Sequence, residues 1–370
     1  MKKRILCLSA ALILAMSAVF TGCTSEDKGQ ESGAQVTAQV TEEAAQNAAN
    51  NGSEQKDDPA KTENGQNESQ DVTKAPDQDK NETTNENTNN TENGNTQNSD
   101  ESSDEKTDYS LMIPEYATGE YKKKDLKSSF NPDKATKIEL NGSTISVNGD
   151  GAVADGNKVT ISLKGTYLIS GKLDDGQIII NAGDDDDVRL ILNGADITCS
   201  NSSPIYAINA DKVILTLVEG TVNTFTDGTS YIFANADKEE PNAAIFSDCD
   251  LSINGEGTLN VNGNFQHAIR VKADLKITSG IINLNAAAKG IKVKKTFAIL
   301  DGELNIKCGD DGINAGMAIS IDGGKVVVAA EDDGIQSDEQ IIVNAGTIDT
   351  SASKKGFKAP IFTPNGGDIS

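Results

Sequence analysis

Gly290-Ile291, Gly312-Ile313, Gly334-Ile335 and Gly356-Phe357 recur at a constant interval of 22 residues. Ala268-Ile269 lies one period upstream, and Ala244-Ile245 lies 24 residues before that. Self-similarity of this kind is the mark of a repeat architecture, in which each unit buries its apolar face against the next. Within the repeat, runs such as KVTISLKGTYLISG and LSINGEGTLNVNG alternate apolar and polar residues and are punctuated by Asn-Gly and Gly-rich steps. Those are strands and tight turns. No stretch sustains a helical period. A unit of 22 residues holds three short strands with their turns. That is one coil of a parallel β-helix, right-handed by the crossover rule. An array of antiparallel hairpins is the alternative, but hairpins do not demand a constant register. The expected fold is all-β, a right-handed parallel β-helix of about 22 residues per coil.

Register turns spacing into geometry, because residues one period apart stack about 4.8 Å from each other. The interior column is Ile269, Ile291, Ile313, Ile335 and Phe357. The glycine beside it is expected to allow a turn backbone that other residues resist. A neighbouring column runs His267, Lys289, Asp311, Asp333, Lys355, and the next runs Ala288, Asp310, Asp332, Lys354. A third runs Arg270, Lys292, Asn314, Gln336, Lys358.

GDDGIN and EDDGIQ therefore stack two acidic pairs, Asp310-Asp311 and Asp332-Asp333. Carboxylates at that separation repel by about 1 kcal/mol even in bulk water. A hard dication offers compensation, since calcium takes carboxylate, amide and carbonyl oxygens. Asn314 and Gln336, three residues on, are candidate amide ligands. The flanking lysines offer the other compensation. Asp250 and Asp274 precede Leu251 and Leu275 in equivalent coils and form a second candidate metal pair, or simply start strands. Asp184 to Asp187 reads as a solvated turn.

The chain opens with Lys2, Lys3 and Arg4 before an apolar run from Ile5 to Phe20, a secretory signal too short for a membrane span. Phe20-Thr21-Gly22-Cys23 resembles a bacterial lipobox. That resemblance implies cleavage before Cys23 and a diacylglycerol on its sulfur, with anchoring to the membrane. Residues 23–108 are rich in Asn, Gln, Thr, Glu, Asp and Ser and hold no aromatic side chain. Over 24–108 there are 21 acidic and 6 basic residues. Such a segment cannot bury enough apolar surface to offset its ordering entropy, so it reads as a disordered tether. The expected organisation is signal 1–22, linker 23–108 and domain 109–370, the last coil ending inside a strand at Gly366-Gly367-Asp368-Ile369-Ser370. Such an end is either truncated or covered by something else. Cys199, Cys249 and Cys308 form no disulfide framework or zinc pattern and read as small buried residues. His267 is the only histidine, which excludes His-rich metal sites and His-containing triads.

EPNAAIFSDCDLSINGEGTLNVNGNFQHAIRVKADLKITSG, with KGIK and GDDGIN after it, resembles the clostridial carbohydrate-binding β-helix family from about Ala135 to the C-terminus. The resemblance implies a calcium-binding fold like that of pectate lyases, on the cell surface, recognising cellulose-type or acidic plant polysaccharides. It maps the family's acidic turns onto Asp310, Asp311, Asp332 and Asp333. It fails at Val293-Lys294-Lys295 and at SKKGFK, where the family carries acidic turns.

Three functions are compatible with these residues. In the first, the protein is a calcium-dependent polysaccharide-binding protein on the outer face of the membrane. The domain from Tyr109 carries 36 acidic and 24 basic residues, so an acidic glycan must be recognised locally. Bound Ca2+ and the cations Arg270, Lys289, Lys292, Lys354, Lys355 and Lys358 would provide that. With no Trp and 4% aromatic residues, a flat stacking platform for sugars is not expected. In the second, the protein is a polysaccharide lyase with Lys289, Lys355 or Arg270 as base, although an adjacent carboxylate raises a lysine's pKa, the wrong direction for a base. In the third, it is a surface scaffold or adhesin in which cations serve folding only. No nucleic-acid partner is expected.

Overall fold

A computed structural model describes residues 107–370 apart from 116, 236 and 353. The expected signal segment, Cys23 and the linker up to residue 106 lie outside the described residues. Among the described residues, no helix is long and apolar enough to cross a membrane.

The described chain is a parallel β-solenoid of about nine turns of roughly 23 residues. Its strands form an 18-stranded and a 10-stranded sheet. The larger sheet is two ladders side by side. Asp187–Cys199 runs through both, pairing first with Lys212–Leu217 and then with Val222–Asp227. Each coil therefore contributes one strand to each of three ladders. The 22-residue register holds where expected: Ile269, Ile291, Ile313, Ile335 and Phe357 pair in succession, as do Arg270, Lys292, Asn314, Gln336 and Lys358. The two other inward columns are Leu251, Leu275, Phe297, Ile319, Ile341 and Leu259, Ile282, Leu304, Val326, Ile348. All ten of these side chains are at most 1% exposed. Each contributes about 1.5–3 kcal/mol through burial, which is why the period is kept so strictly. Among the described residues, antiparallel hairpins are confined to the first strands, Thr136–Gly142 with Thr144–Asn148 and Ala152–Asp155 with Lys158–Ile161. The last described strand, Asp368–Ile369, pairs with Thr347–Ala352.

The repeated glycines need correction. Gly290, Gly312 and Gly334 do not sit in the left-handed region; glycine is required there by close approach. A Cβ on Gly312 would lie 2.2 Å from Val328 Cγ1 and 2.5 Å from the Gly334 carbonyl oxygen. The positive-φ column lies at another turn, with Gly280 at +99°, Gly302 at +100°, Gly324 at +74° and Gly346 at +96°.

Residues 117–128, preceding the first strand, run as a strap over the outer face of one ladder. At one end, Asp322 accepts the backbone N–H of Thr118 at 2.8 Å and of Gly119 at 2.9 Å, and the Tyr121 hydroxyl at 2.8 Å. In the middle, Asp125 accepts from Lys212 Nζ at 2.5 Å and Ser252 Oγ at 2.7 Å. Its carbonyl accepts from Asn254 and Thr278. Beyond it, Lys124 pairs with Asp187 and Asp211. Asp125 and Lys212 are 0% and 2% exposed. The strap turns a polar outer face into an interior.

Candidate functional site

The two acidic pairs lie where the repeat puts them. The Gly312 N–H donates to the Asp333 carbonyl, and the Asp332 N–H to the Asp310 carbonyl, so the turns stack coil on coil. Asp311 and Asp333 are 3% and 2% exposed, while Asp310 and Asp332 are half-buried. One carboxylate oxygen from each of Asp310, Asp311 and Asp332 lies within 4.8 Å of the others. Calcium–oxygen distances are about 2.4 Å, so small side-chain rotations would bring oxygens this close onto a single ion. The donors are all hard oxygens, which suits calcium. Asp333 is outside this group.

Lysines occupy the same patch. Lys289 Nζ lies 2.9 Å from Asp310 and 2.5 Å from Asp311. Lys354 reaches Asp332 at 2.8 Å, and Lys358 reaches Asp333 at 2.6 Å. Asp311 also accepts the Asp333 N–H at 3.2 Å and the Asn314 amide at 3.3 Å, and Gln336 accepts from Lys358 at 3.3 Å. Burial works to lower the Lys289 pKa, but its bonds to Asp311 and Asp310 outweigh this and raise it. The Asp310 pKa is lowered: burial acts upward, and the Lys289 ammonium prevails. Hydrogen bonds to Asp332 and Asp333 raise Lys354 and Lys358. Lys355 is exposed, and its backbone carbonyl accepts the Gly334 N–H.

On the adjoining ladder face, Arg270 and Lys292 stack. Burial, reinforced by Arg270 and Lys289, lowers the Lys292 pKa, and burial lowers that of Arg270. Arg270 Nη2 lies 3.9 Å from Glu240. His267 is 4% exposed, and its Nδ1 accepts the Lys289 N–H at 3.2 Å. Burial and then the neighbouring Lys292, Arg270 and Lys289 push its imidazole down to about 3. Asp250 and Asp274 each cap the next coil: Asp250 Oδ1 accepts the Asp274 N–H at 3.1 Å, and Asp274 Oδ1 accepts the Thr296 N–H at 3.0 Å. That is the strand-starting geometry, away from the three-carboxylate group.

Sequence reasoning missed an aromatic cluster of Tyr231, Phe233 and Phe265. Tyr231 and Phe265 stack with centroids 4.4 Å apart and planes at 17°, and Phe233 tilts against both. A low aromatic total hides such clustering. The signal was local, since these residues fall where the coil length departs from 22.

Among similar proteins, a carbohydrate-binding domain-containing protein of Acetivibrio thermocellus is 40% identical over 139 residues, covering 38% of this chain and 49% of that relative. The chain thus matches about half the length of that relative. Among solved structures, the polysaccharide lyase-like protein from C. thermocellum, a gadolinium derivative, superimposes with a TM-score of 0.61 at 33% identity, covering 63% of this chain and 99% of that one. Residues 155–360 match the family of carbohydrate-binding domain-containing proteins, and the chain belongs to that family.

Proposed function

We propose that this protein binds acidic polysaccharide through calcium held at Asp310, Asp311 and Asp332. The observation that carries this reading is a reachable three-carboxylate group, ringed by Lys289, Lys354 and Lys358, on a carbohydrate-binding scaffold. A dication there competes with the Lys289 ammonium for Asp310 and Asp311. Ion binding therefore frees Lys289 to pair with a sugar carboxylate, so that metal and glycan support each other's binding. Calorimetric titration of calcium into the chelator-stripped protein is expected to show a site that Asp310→Asn/Asp332→Asn loses. Trigalacturonate should then bind wild type only with calcium present. Calcium heats unchanged in the double variant would sink the reading. The same proposal puts the protein on the outer face of the cell membrane through acylated Cys23, and Cys23→Ala should leave the detergent phase on partitioning.

One observation favours a lyase as the second reading. Burial, with Arg270 and Lys289 beside it, shifts the Lys292 pKa in the direction that a base abstracting a proton beside a carboxylate needs, whereas Lys289 is shifted the other way. If so, polygalacturonate with calcium yields an ultraviolet-absorbing unsaturated product, lost in Lys292→Met. No absorbance rise with wild type would leave binding alone.

A further inference from the structure

The turn that carries Asp310 and Asp332 changes length along the solenoid. Gly263, Ala286, Cys308 and Ala330 are in register on one side of it. On the other side His267, Lys289, Asp311 and Asp333 follow one another, as the Ala268, Gly290 and Gly312 N–H bonds to the next coil show. The intervening residues are Ala287-Ala288, Gly309-Asp310 and Glu331-Asp332 in the later coils, but Asn264-Phe265-Gln266 in the earlier one. One coil before that, where Ala243 pairs with His267, the turn is the loop 228–242. Both insertions carry aromatic rings, and they meet. Tyr231 stacks on Phe265, and Phe233 closes the cluster at 6.2 and 6.0 Å. Asp227 pins both insertions, accepting the Tyr231 hydroxyl at 2.7 Å and the Asn264 N–H. All three rings are half-buried, and Ile232 between two of them is 75% exposed.

Read along this corner in steps of about 4.8 Å, the surface is an aromatic stack, then a step of two alanines, then Asp310, then Asp332. Ala287 is exposed and Ala288 half-buried, so the step is a notch one coil tall between the rings and the acidic group. We propose that Tyr231, Phe233 and Phe265 form a sugar-stacking subsite for the same polysaccharide chain that the acidic group holds by calcium. This rests on the function proposed above. A pyranose presents a face of C–H bonds that packs on an aromatic face. Its length is close to the height of one coil, so a glycan following the corner lays one sugar on the rings, the next over the alanine step and the third at the cation site. Because Asp227 fixes the stack in advance, little ordering is needed on binding.

The test is calorimetric titration of trigalacturonate into the whole chain with calcium present, for wild type, Phe265→Ala, Phe265→Leu and Phe265→Trp. Phe265→Ala and Phe265→Leu should bind about five- to tenfold more weakly. Phe265→Trp should bind at least as well as wild type, and calcium affinity should be the same in all four. Leucine keeps the apolar packing and removes only the ring. Wild-type affinity in the leucine variant overturns the subsite, while calcium-dependent binding by wild type keeps the wider reading. No binding by wild type overturns both. In wild type, the Phe265 and Tyr231 ring protons should shift in NMR spectra when trigalacturonate is added. Unmoved ring resonances in a saturated complex overturn the subsite even if every Phe265 variant unfolds.

Discussion

Asp125→Ala is expected to lower the melting temperature by about 10 °C. Lys212 is 2% exposed, and its ammonium touches Asp125 at 2.5 Å. Removing the carboxylate leaves a buried charge without its partner, which typically costs about 3–5 kcal/mol. For a domain of this size each kcal/mol moves the transition by about 2–4 °C. Ser252 loses its acceptor as well. Lys276, 4.0 Å from Asp125, is a second buried cation that repels Lys212 and loses the same carboxylate. Adding Lys212→Met removes the stranded charge and should recover most of the loss. Amide exchange separates two ways of failing. If the strap alone lets go, protection falls at 117–128 and on the ladder beneath it while the Ile269–Ile335 column stays protected. A melting temperature within a degree or two of wild type would mean that the strap contributes little.

The second large effect is acid loss of stability through His267. Its folded pKa is about 3, against about 6.5 for an unfolded histidine. A depressed histidine binds fewer protons folded than unfolded, so its contribution is complete above about 6.5 and falls as pH drops toward the folded value. Between pH 6.5 and 4.5 wild type should lose about 2–3 kcal/mol relative to His267→Gln, whose amide oxygen can still accept the Lys289 N–H. Asp227 acts in the opposite sense, because burial pushes its carboxyl up to about 6 and protonation then favours the fold. It is present in both proteins and cancels in the comparison. Urea denaturation at several pH values measures the difference, and parallel curves for the two proteins would show that His267 can be protonated in place.

The solenoid was legible because a coil can close only if one residue in each turn lands at the same depth. Ile269, Ile291, Ile313 and Ile335 satisfy that rule, and their neighbours Asp311 and Asp333 inherit the register. What the register could not tell was how the stacked carboxylates are neutralised. Lys354 stands one period from Asp332, where spacing puts it, but Lys358 crosses from the neighbouring column to reach Asp333, which spacing does not encode. The strap was illegible for a different reason. Tyr121 and Asp125 have no period, and their partners Asp322 and Lys212 lie 201 and 87 residues away. The glycines were found by spacing, but the reason for Gly312, a backbone and Val328 pressed against it, is a packing fact. The aromatic corner sits where the repeat breaks, in turns that a search for regularity passes over.

The strap also sets how the domain would bear mechanical load. Its contacts run from Asp322, beside Thr118, back through Lys212 to Asp187 and Asp211, so it crosses several coils in one direction. A pull on residue 107 along that line shears these contacts together, whereas a pull away from the face peels them one at a time. In either case the strap must yield before tension reaches Thr136–Gly142, the first strand of the solenoid. Residues 117–128 would thus take up a pull on the chain at residue 107 before the coils do.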